Sequence, residues 1–280
     1  MGCRPDGFHE LETVMVRTDL CDTLRFEARD DDTIELTRVS AWNSSLCDAQ
    51  ATWSDSREFP LGESNLIVKA ARALQRRADG PRGATIRVHK RIPGRAGLGG
   101  GSGNAATTLL TLNQLWDVDL PVSSLYEIGS EVGSDVNFLL SGYRAALCTG
   151  RGEQIRPVSV NGQRTGLLII PWSGNSTAEV FRALELPKEP RGAGNLIKAL
   201  GRRQGLEVRT HGFNRLQTVA QGLNPDVGTV LSWLAVRAGG GLMTGSGSAC
   251  FTLLKSATNA RRLARQFQIE GVGLATTFRF

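Results

Sequence analysis

The apolar positions of the first ninety residues fall into short runs separated by polar turns, a pattern typical of strands. Strands are predicted at residues 13–16, 23–27, 33–37 and 84–90. Apolar residues three or four positions apart from Leu66 to Leu74 predict one intervening helix, with Ser64 or Asn65 as its N-cap. Residues 39–62 have little periodicity and predict a long loop.

The remainder of the chain mixes helices and strands without the regular strand–helix–strand alternation of a parallel sheet. Helices are predicted at about 104–116, 123–132, 177–184, 196–200, 227–238 and 257–267, and strands at 166–171, 249–254 and 273–277; 136–140 and 144–148 fit either. A glycine pair at 150 and 152 suggests a boundary between domains 1–153 and 154–280. The pattern therefore predicts a two-domain α+β fold.

Composition adds one unusual feature, which is glycine. Many of the 33 glycines fall in two clusters, at residues 94–103 and 239–247. Clustered glycine indicates backbone that turns tightly or lets a ligand approach closely.

Charge and cysteine content narrow the class of protein. The net charge of +6 and the pI near 9.4 come from scattered basic residues with no interleaved aromatics, so we expect a solvated surface that attracts small anionic substrates, and no nucleic-acid partner. Five cysteines without C-x-x-C spacing argue against disulfides or zinc and favour a cytoplasmic location. No apolar run approaches the roughly 18 residues of a membrane span, so no membrane partner is expected.

The first glycine cluster carries the strongest chemical signal. It joins a predicted strand to a predicted helix, and such a junction presents backbone N–H groups and the positive helix dipole to a polyphosphate. The G-x-x-x-x-G-K-[ST] pattern is absent. A dinucleotide fingerprint at 101–106 is weak, because Asp117 and Asp119 do not end a strand.

The segment from Pro93 to Ala106 resembles the phosphate loop of the GHMP small-molecule kinases. Further segments, in the same order as in that superfamily, resemble its diphosphocytidyl-methylerythritol kinases, which serve non-mevalonate isoprenoid synthesis. These segments are Arg4–Leu11, Asn65–Ile67, Lys90–Pro93, Gly133–Val136, Gly150–Glu153 and Thr244–Gly247. The resemblance covers residues 4 to about 253.

The resemblance implies a ribosomal-protein-S5-like ATP-binding domain followed by a ferredoxin-like α/β sandwich. It implies ATP-dependent phosphorylation of the 2-hydroxyl of a cytidine diphosphate-linked methylerythritol, with Mg²⁺ bridging the ATP phosphates. No carboxylate ligand for Mg²⁺ is identifiable, and Ser102 is the candidate contact. The implied ATP-binding residues are Asn65, Lys90, Pro93, Gly97, Leu98, Gly99, Gly100, Gly101, Ser102, Gly103 and Asn104.

Asp135 is the implied catalytic carboxylate, because phosphoryl transfer needs a group that orients or deprotonates the acceptor hydroxyl. The resemblance also implies that His9 hydrogen-bonds the cytosine edge while Phe8 and Phe181 flank its faces. In the second glycine cluster, the implied contacts to the substrate phosphates are Gly245, Ser246 and Gly247.

The family pattern P-A-K-[IL]-N-L, whose lysine assists the aspartate, is not found ahead of Arg4. We expect either a misassigned start site or a degenerate, non-catalytic cytidine-nucleotide-binding paralogue. Another GHMP kinase, such as a homoserine or mevalonate kinase, is the second alternative. The Gly-Phe-His motif at 7–9 argues against it, because those substrates have no base to stack.

Overall fold

The computed structural model describes residues 10–39, 59–185, 191–202, 206–270 and 272–280. The described strands are β1 Leu11–Val16, β2 Thr23–Arg29, β3 Ile34–Val39, β4 Gly83–His89, β5 Ala145–Gly150, β6 Gln154–Pro157, β7 Thr165–Pro171, β8 Leu242–Met243, β9 Cys250–Leu254 and β10 Gly273–Arg279. The described helices are α1 Leu66–Gln75, α2 Gly100–Leu115, α3 Val122–Val132, α4 Val136–Leu140, α5 Thr177–Arg182, α6 Gly194–Leu200, α7 Leu206–His211, α8 Leu216–Leu223, α9 Pro225–Ala238 and α10 Ala257–Glu270.

The N-terminal half is a layer of helices packed on a three-stranded sheet in the order β2-β4-β3. Strand β4 runs antiparallel to β2 and parallel to β3. Its alternate residues Ala84, Ile86 and Val88 are fully buried against α1 and α2. The period of two in the sequence of β4 thus gives one face to the helices, and β4 delivers the chain directly to the first glycine cluster.

A second sheet, in the order β1-β5-β6, is wholly antiparallel. Strands β5 and β6 form a hairpin whose turn contains Gly150 and Gly152, so the predicted domain boundary falls inside a pair of hydrogen-bonded strands. The division into 1–153 and 154–280 stays a prediction.

The C-terminal half contains a four-stranded antiparallel sheet in the order β10-β7-β9-β8. Helices α9 and α10 cover one face, where Trp233 meets Phe267 edge to face with ring centroids 5.1 Å apart. The other face shares a core with the β1-β5-β6 sheet, in which Leu147 packs in the same cluster as Leu168 and Leu274. This shared core joins the two halves beside both glycine clusters.

The predicted α+β class and most predicted elements are confirmed, with corrections at the ends of two helices. Helix α2 begins at Gly100 and not near Asn104, and α3 begins after Pro121, which occupies the N-cap position predicted for Ser123 or Ser124. The segment 136–140 is a helix, and all of 144–148 except Arg144 lies in strand β5. Most of the predicted loop 39–62 lies outside the described residues.

Four short elements were not predicted from the sequence, namely β6, β8, α7 and α8. Each has eight residues or fewer, so the periodicity that would reveal it extends over two turns or less. Packing against the larger elements, rather than local pattern, determines such segments.

Candidate active site

The N-terminus of α2 forms the centre of the site. Gly99 occupies the N-cap position with φ 66°, in the left-handed region that favours glycine, and the Gly103 N–H donates to the Gly99 carbonyl over 2.9 Å. The N–H groups of Gly100, Gly101 and Ser102 precede that first intrahelical bond, and the N-cap residue Gly99 has no side chain to cap them. An uncapped first turn whose N–H groups share the positive end of the helix dipole is suited to binding phosphate.

The helix start four residues earlier than predicted has a steric cause. A Cβ on Gly100 would lie 2.8 Å from Ile92 Cγ2, so only glycine lets the first turn settle against the end of the preceding strand. Tertiary packing here overrides the low helix propensity of four residues in which three are glycine. Ser102 and Gly103 are therefore helical and half-buried rather than part of a loop.

The residues between β4 and α2 contact the second glycine cluster. Gly97 has φ 70°, and a Cβ there would lie 2.2 Å from the Thr244 carbonyl oxygen and 2.8 Å from Gly247 N. The Thr244 hydroxyl donates to the Gly97 carbonyl at 3.0 Å, and Ala249 N donates to the Ala96 carbonyl at 3.1 Å. The two clusters, 150 residues apart in sequence, thus form one glycine-lined surface.

Asp22 lies beneath this surface, and its side chain is only 1% exposed. Its Oδ2 accepts from Lys90 Nζ at 2.5 Å and from Asn104 Nδ2 at 2.9 Å. Its Oδ1 accepts from the backbone N–H groups of Arg91 and Ile92 at 2.7 and 2.8 Å. Lys90 Nζ also donates to the Ile92 carbonyl, so Lys90 and Asn104 are engaged with the protein itself.

Burial lowers the pKa of Lys90, and the negative charge of Asp22 opposes that shift. Sequence reasoning missed Asp22, because a single aspartate ahead of a strand is indistinguishable from a turn residue.

Asn65, like Lys90 and Asn104, hydrogen-bonds to the protein itself. It caps α1 by accepting from Ile67 N at 2.9 Å, and it donates to the Pro60 carbonyl at 2.6 Å. The roles of these residues toward ATP stay predictions.

Asp135 occupies the N-cap position of α4, and its side chain makes no capping hydrogen bond. Helix α4 packs against the first turn of α2, where a Cβ on Gly103 would lie 3.7 Å from Leu139 Cδ1. Burial raises the pKa of Asp135. Burial and the nearby Asp135 charge together raise the pKa of the Cys148 thiol to about 12. A buried carboxylate with a raised pKa has the properties of a proton acceptor.

A cavity of about 210 Å³ is lined in part by Ser134, the residue before Asp135. Its lining residues come from the C-terminal part of α3, the turn before α4 and the turn between β5 and β6; they are Ser130, Glu131, Gly133, Ser134, Arg151 and Glu153. The Gly150–Glu153 motif of the sequence analysis therefore lies beside the Gly133–Val136 motif. A Cβ on Gly152 would lie 3.3 Å from the Ser134 carbonyl oxygen.

Polar side chains from other parts of the chain hydrogen-bond to the backbone of the second glycine cluster. Asn175 donates to the Ser246 carbonyl at 2.8 Å and accepts from Asn224 at 2.8 Å, while Asn214 donates to the Gly245 carbonyl at 2.7 Å. The Ser246 hydroxyl meets the Thr177 hydroxyl at 2.8 Å. These contacts come from widely separated parts of the sequence, so no local motif revealed them.

Phe181 lies in α5, the helix that Thr177 begins, and is half-buried. Its predicted stacking on cytosine stays a prediction. Phe8 and His9 lie outside the described residues. Pro93 is buried, Leu98 is half-buried and packs against the shared core, and both follow the chain from β4 into the glycine surface.

Among the residues that the structure describes, no group of three or more His, Cys, Asp or Glu side chains could hold a metal ion. Cys21, Cys148 and Cys250 are free thiols. No helix in the described part of the chain is long and apolar enough to cross a membrane.

Comparison with known proteins supports the same motifs. Residues 65–143 match the family described as GHMP kinases N terminal domain, and residues 192–273 match GHMP kinases C terminal. A 4-diphosphocytidyl-2-C-methyl-D-erythritol kinase from Polaromonas sp. strain JS666 is 40% identical over 253 residues, which is 90% of this chain and 78% of that protein. The chain belongs to this kinase family. The similarity extends to the kinase of that name from Bacillus subtilis, which is 35% identical over 93% of this chain and 85% of its own length.

Solved structures agree with the assignment to the 4-diphosphocytidyl-2-C-methyl-D-erythritol kinase family. A crystal structure of a 4-(cytidine 5'-diphospho)-2C-methyl-D-erythritol kinase superposes with a TM-score of 0.78 at 29% identity, over 99% of this chain and 92% of that one. A homoserine kinase from Cytophaga hutchinsonii superposes with a TM-score of 0.69 at 17% identity, over 95% and 88%. The latter similarity shows a common fold, and the predicted GHMP architecture is confirmed.

Proposed function

We propose that this protein transfers the γ-phosphoryl group of ATP to the 2-hydroxyl of 4-diphosphocytidyl-2-C-methyl-D-erythritol. Family membership supports the choice of substrate. The observation that carries the chemistry is the packing of the Asp135 helix α4 against the uncapped first turn of α2. This contact brings a candidate proton acceptor to the end of a helix suited to binding phosphate.

In the proposed reaction, the first turn of α2 holds the ATP phosphates through the backbone N–H groups of Gly100, Gly101 and Ser102. These dipoles are fixed before the substrate binds, so they stabilise charge on the transferring group without reorganisation. The second glycine cluster, held against Gly97, would cover the substrate phosphates from the C-terminal half. The 2-hydroxyl of the acceptor would lie against the Asp135 carboxylate.

Asp135 would accept the proton of the 2-hydroxyl as the new oxygen–phosphorus bond forms and the bond to ADP breaks. The raised pKa of Asp135 makes its carboxylate a better proton acceptor than an ordinary aspartate. The products are ADP and the 2-phosphorylated substrate.

Mg²⁺ is the expected companion of ATP in this family, and when bound it neutralises phosphate charge. The described residues supply no carboxylate cluster for it. We propose that the nucleotide phosphates themselves hold the ion, with Ser102 as the candidate protein contact. A cytoplasmic location is proposed on the cysteine usage alone.

The test is an ATP-dependent assay of ADP formation with 4-diphosphocytidyl-2-C-methyl-D-erythritol as acceptor, with Asp135→Asn as the matched variant. Phosphorylation by the parent and a loss of about 10²- to 10⁴-fold in the variant are expected. A parent that binds ATP and cytidine diphosphate without phosphorylating would support the non-catalytic paralogue instead. A variant with less than about a tenfold loss would remove Asp135 from the catalytic role.

A further inference from the structure

The Asp22 carboxylate is the most completely hydrogen-bonded acid in the described part of the chain, and no family motif includes it. It is buried and accepts four hydrogen bonds of 2.5 to 2.9 Å from Lys90, Asn104, Arg91 and Ile92. A buried carboxylate needs such a set of donors, because its charge has lost water. The donors are therefore held where the carboxylate is.

Each of these donors belongs to a part of the chain that shapes the phosphate-binding turn. Arg91 and Ile92 lead from β4 toward the glycine cluster, and Asn104 lies one turn into α2. The first turn of α2 rests directly on this group, since a Cβ on Gly100 would lie 2.8 Å from Ile92 Cγ2 and 3.2 Å from Lys90 Nζ. The position of Ile92 and Lys90 therefore sets the position of the free N–H groups above them.

We propose that Asp22 is a positioning residue for the ATP phosphates, which it does not touch. It fixes the first turn of α2 through Lys90, Ile92 and Asn104, and so aims the N–H groups of Gly100, Gly101 and Ser102. This inference rests on the proposed function, because it assumes that those N–H groups bind ATP. It also assigns Lys90 to the support of the turn, where two of the three hydrogens of its ammonium group go to Asp22 and the Ile92 carbonyl.

The substitution Asp22→Asn tests the proposal with little change in volume. The asparagine oxygen can still accept from Arg91 and Ile92, but its NH₂ group then faces the donors of Lys90 and Asn104. Asp19→Asn is the matched control. It removes a carboxylate on the same connection between β1 and β2, and that carboxylate accepts from Arg279 N at 2.8 Å, away from the glycine clusters.

The measurement is calorimetric binding of ATP and, separately, of cytidine diphosphate to the full chain and both variants. Asp22→Asn is expected to weaken ATP binding by about ten- to a hundredfold, because the N–H groups at the start of α2 would no longer point at the phosphates. Cytidine diphosphate binding should stay within about twofold, and Asp19→Asn should change neither. A general structural defect would instead weaken the binding of both ligands together, and a circular-dichroism melting curve would show the loss of stability.

A parent that binds no ATP would refute the proposed function, whereas a parent and an Asp22→Asn variant with equal ATP affinity would overturn the Asp22 inference alone. Lys90→Met supplies the second arm through a double-mutant cycle. Non-additive losses of ATP affinity are expected if the two residues act as one support, and additive losses would contradict it. If Asp22→Asn fails to fold, the double variant Asp22→Asn with Lys90→Met takes its place, because it leaves neither charge unpaired. That variant must still lose affinity for ATP while it keeps its affinity for cytidine diphosphate.

Discussion

Replacing Gly97 by alanine would test whether the two glycine clusters form one site. The new methyl would lie 2.2 Å from the Thr244 carbonyl oxygen and 2.8 Å from Gly247 N, and both are backbone atoms that cannot rotate away. The substitution must therefore push the clusters apart. It would weaken the hydrogen bond from the Thr244 hydroxyl to the Gly97 carbonyl and the one from Ala249 N to the Ala96 carbonyl.

The expected loss of stability has two parts. A non-glycine residue at φ 70° destabilises the fold by about 1–2 kcal/mol. Two weakened hydrogen bonds add about 1 kcal/mol each. The total is about 3–4 kcal/mol. Gly80→Ala is the matched control, because Gly80 has φ 73° and a Cβ there would meet nothing within 4 Å; it should lose only the first part, about 1–2 kcal/mol.

Urea denaturation of the parent and both variants would give the free energies of unfolding, and calorimetry would give the ATP affinity. Gly97→Ala should lower both quantities, whereas Gly80→Ala should lower only the free energy of unfolding, and by less. Equal destabilisation by the two substitutions, or an unchanged ATP affinity in a folded Gly97→Ala protein, would refute the single-site interpretation.

Gly101→Val should abolish measurable ATP binding in a cooperatively folding protein. Gly101 is exposed in the first turn of α2, and a helical side chain leans toward the helix N-terminus, where the phosphates would bind. Unchanged calorimetric affinity would be contrary evidence. Asp135→Asn should raise the free energy of unfolding at pH 7 while lowering activity. A carboxyl group whose folded-state pKa is raised destabilises the fold as pH rises through that pKa, so the gain should vanish in acid, below the usual carboxyl pKa. A difference in the free energy of urea unfolding that does not change with pH would contradict this prediction. Burial raises the pKa of the Cys148 and Cys250 thiols to about 12, so both should resist alkylation by iodoacetamide at pH 8 in the native protein. Peptide mapping that finds either thiol alkylated before unfolding would show that it is accessible.

The sequence predicted the chemistry of the first glycine cluster better than its structure. Its glycines, set between a strand and a helix, indicated phosphate binding, yet the helix was placed to begin at Asn104. It begins at Gly100, because close packing on Ile92 selects glycine there. Helix propensity describes a residue in isolation, and a steric requirement from another part of the chain is invisible to it.

The joining of the two clusters could not be predicted from local pattern. Gly97 and Thr244 are far apart in sequence, and their contact depends on the core shared by the two halves. The order of the motifs along the chain indicated that both clusters belong to the same kinase family pattern, but it gave no information on the distance between them. Asn175, Asn214 and Asn224 escaped notice for the same reason, because each holds a glycine turn or another asparagine across the fold.

Sequence reasoning did not identify the partners of the buried polar residues. Lys90 and Asn104 were predicted as ATP-binding residues from a resemblance, and the structure gives both a partner in Asp22. A sequence shows residue types but no burial, and burial decides whether a charge must find its partner inside the protein. Asp135, by contrast, was predicted from the resemblance of Gly133–Val136 to a family motif, and it occupies the N-cap position of α4.

The proposed function is phosphorylation of a cytidine diphosphate-linked methylerythritol at this site. The most direct measurement compares kcat/KM for ATP-dependent phosphorylation of 4-diphosphocytidyl-2-C-methyl-D-erythritol, homoserine and mevalonate by the same protein, with ³¹P NMR of the product. Turnover of the first acceptor alone is expected, with a new phosphomonoester on its 2-hydroxyl. Turnover of homoserine or mevalonate in preference, or a phosphate on a different hydroxyl, would contradict it.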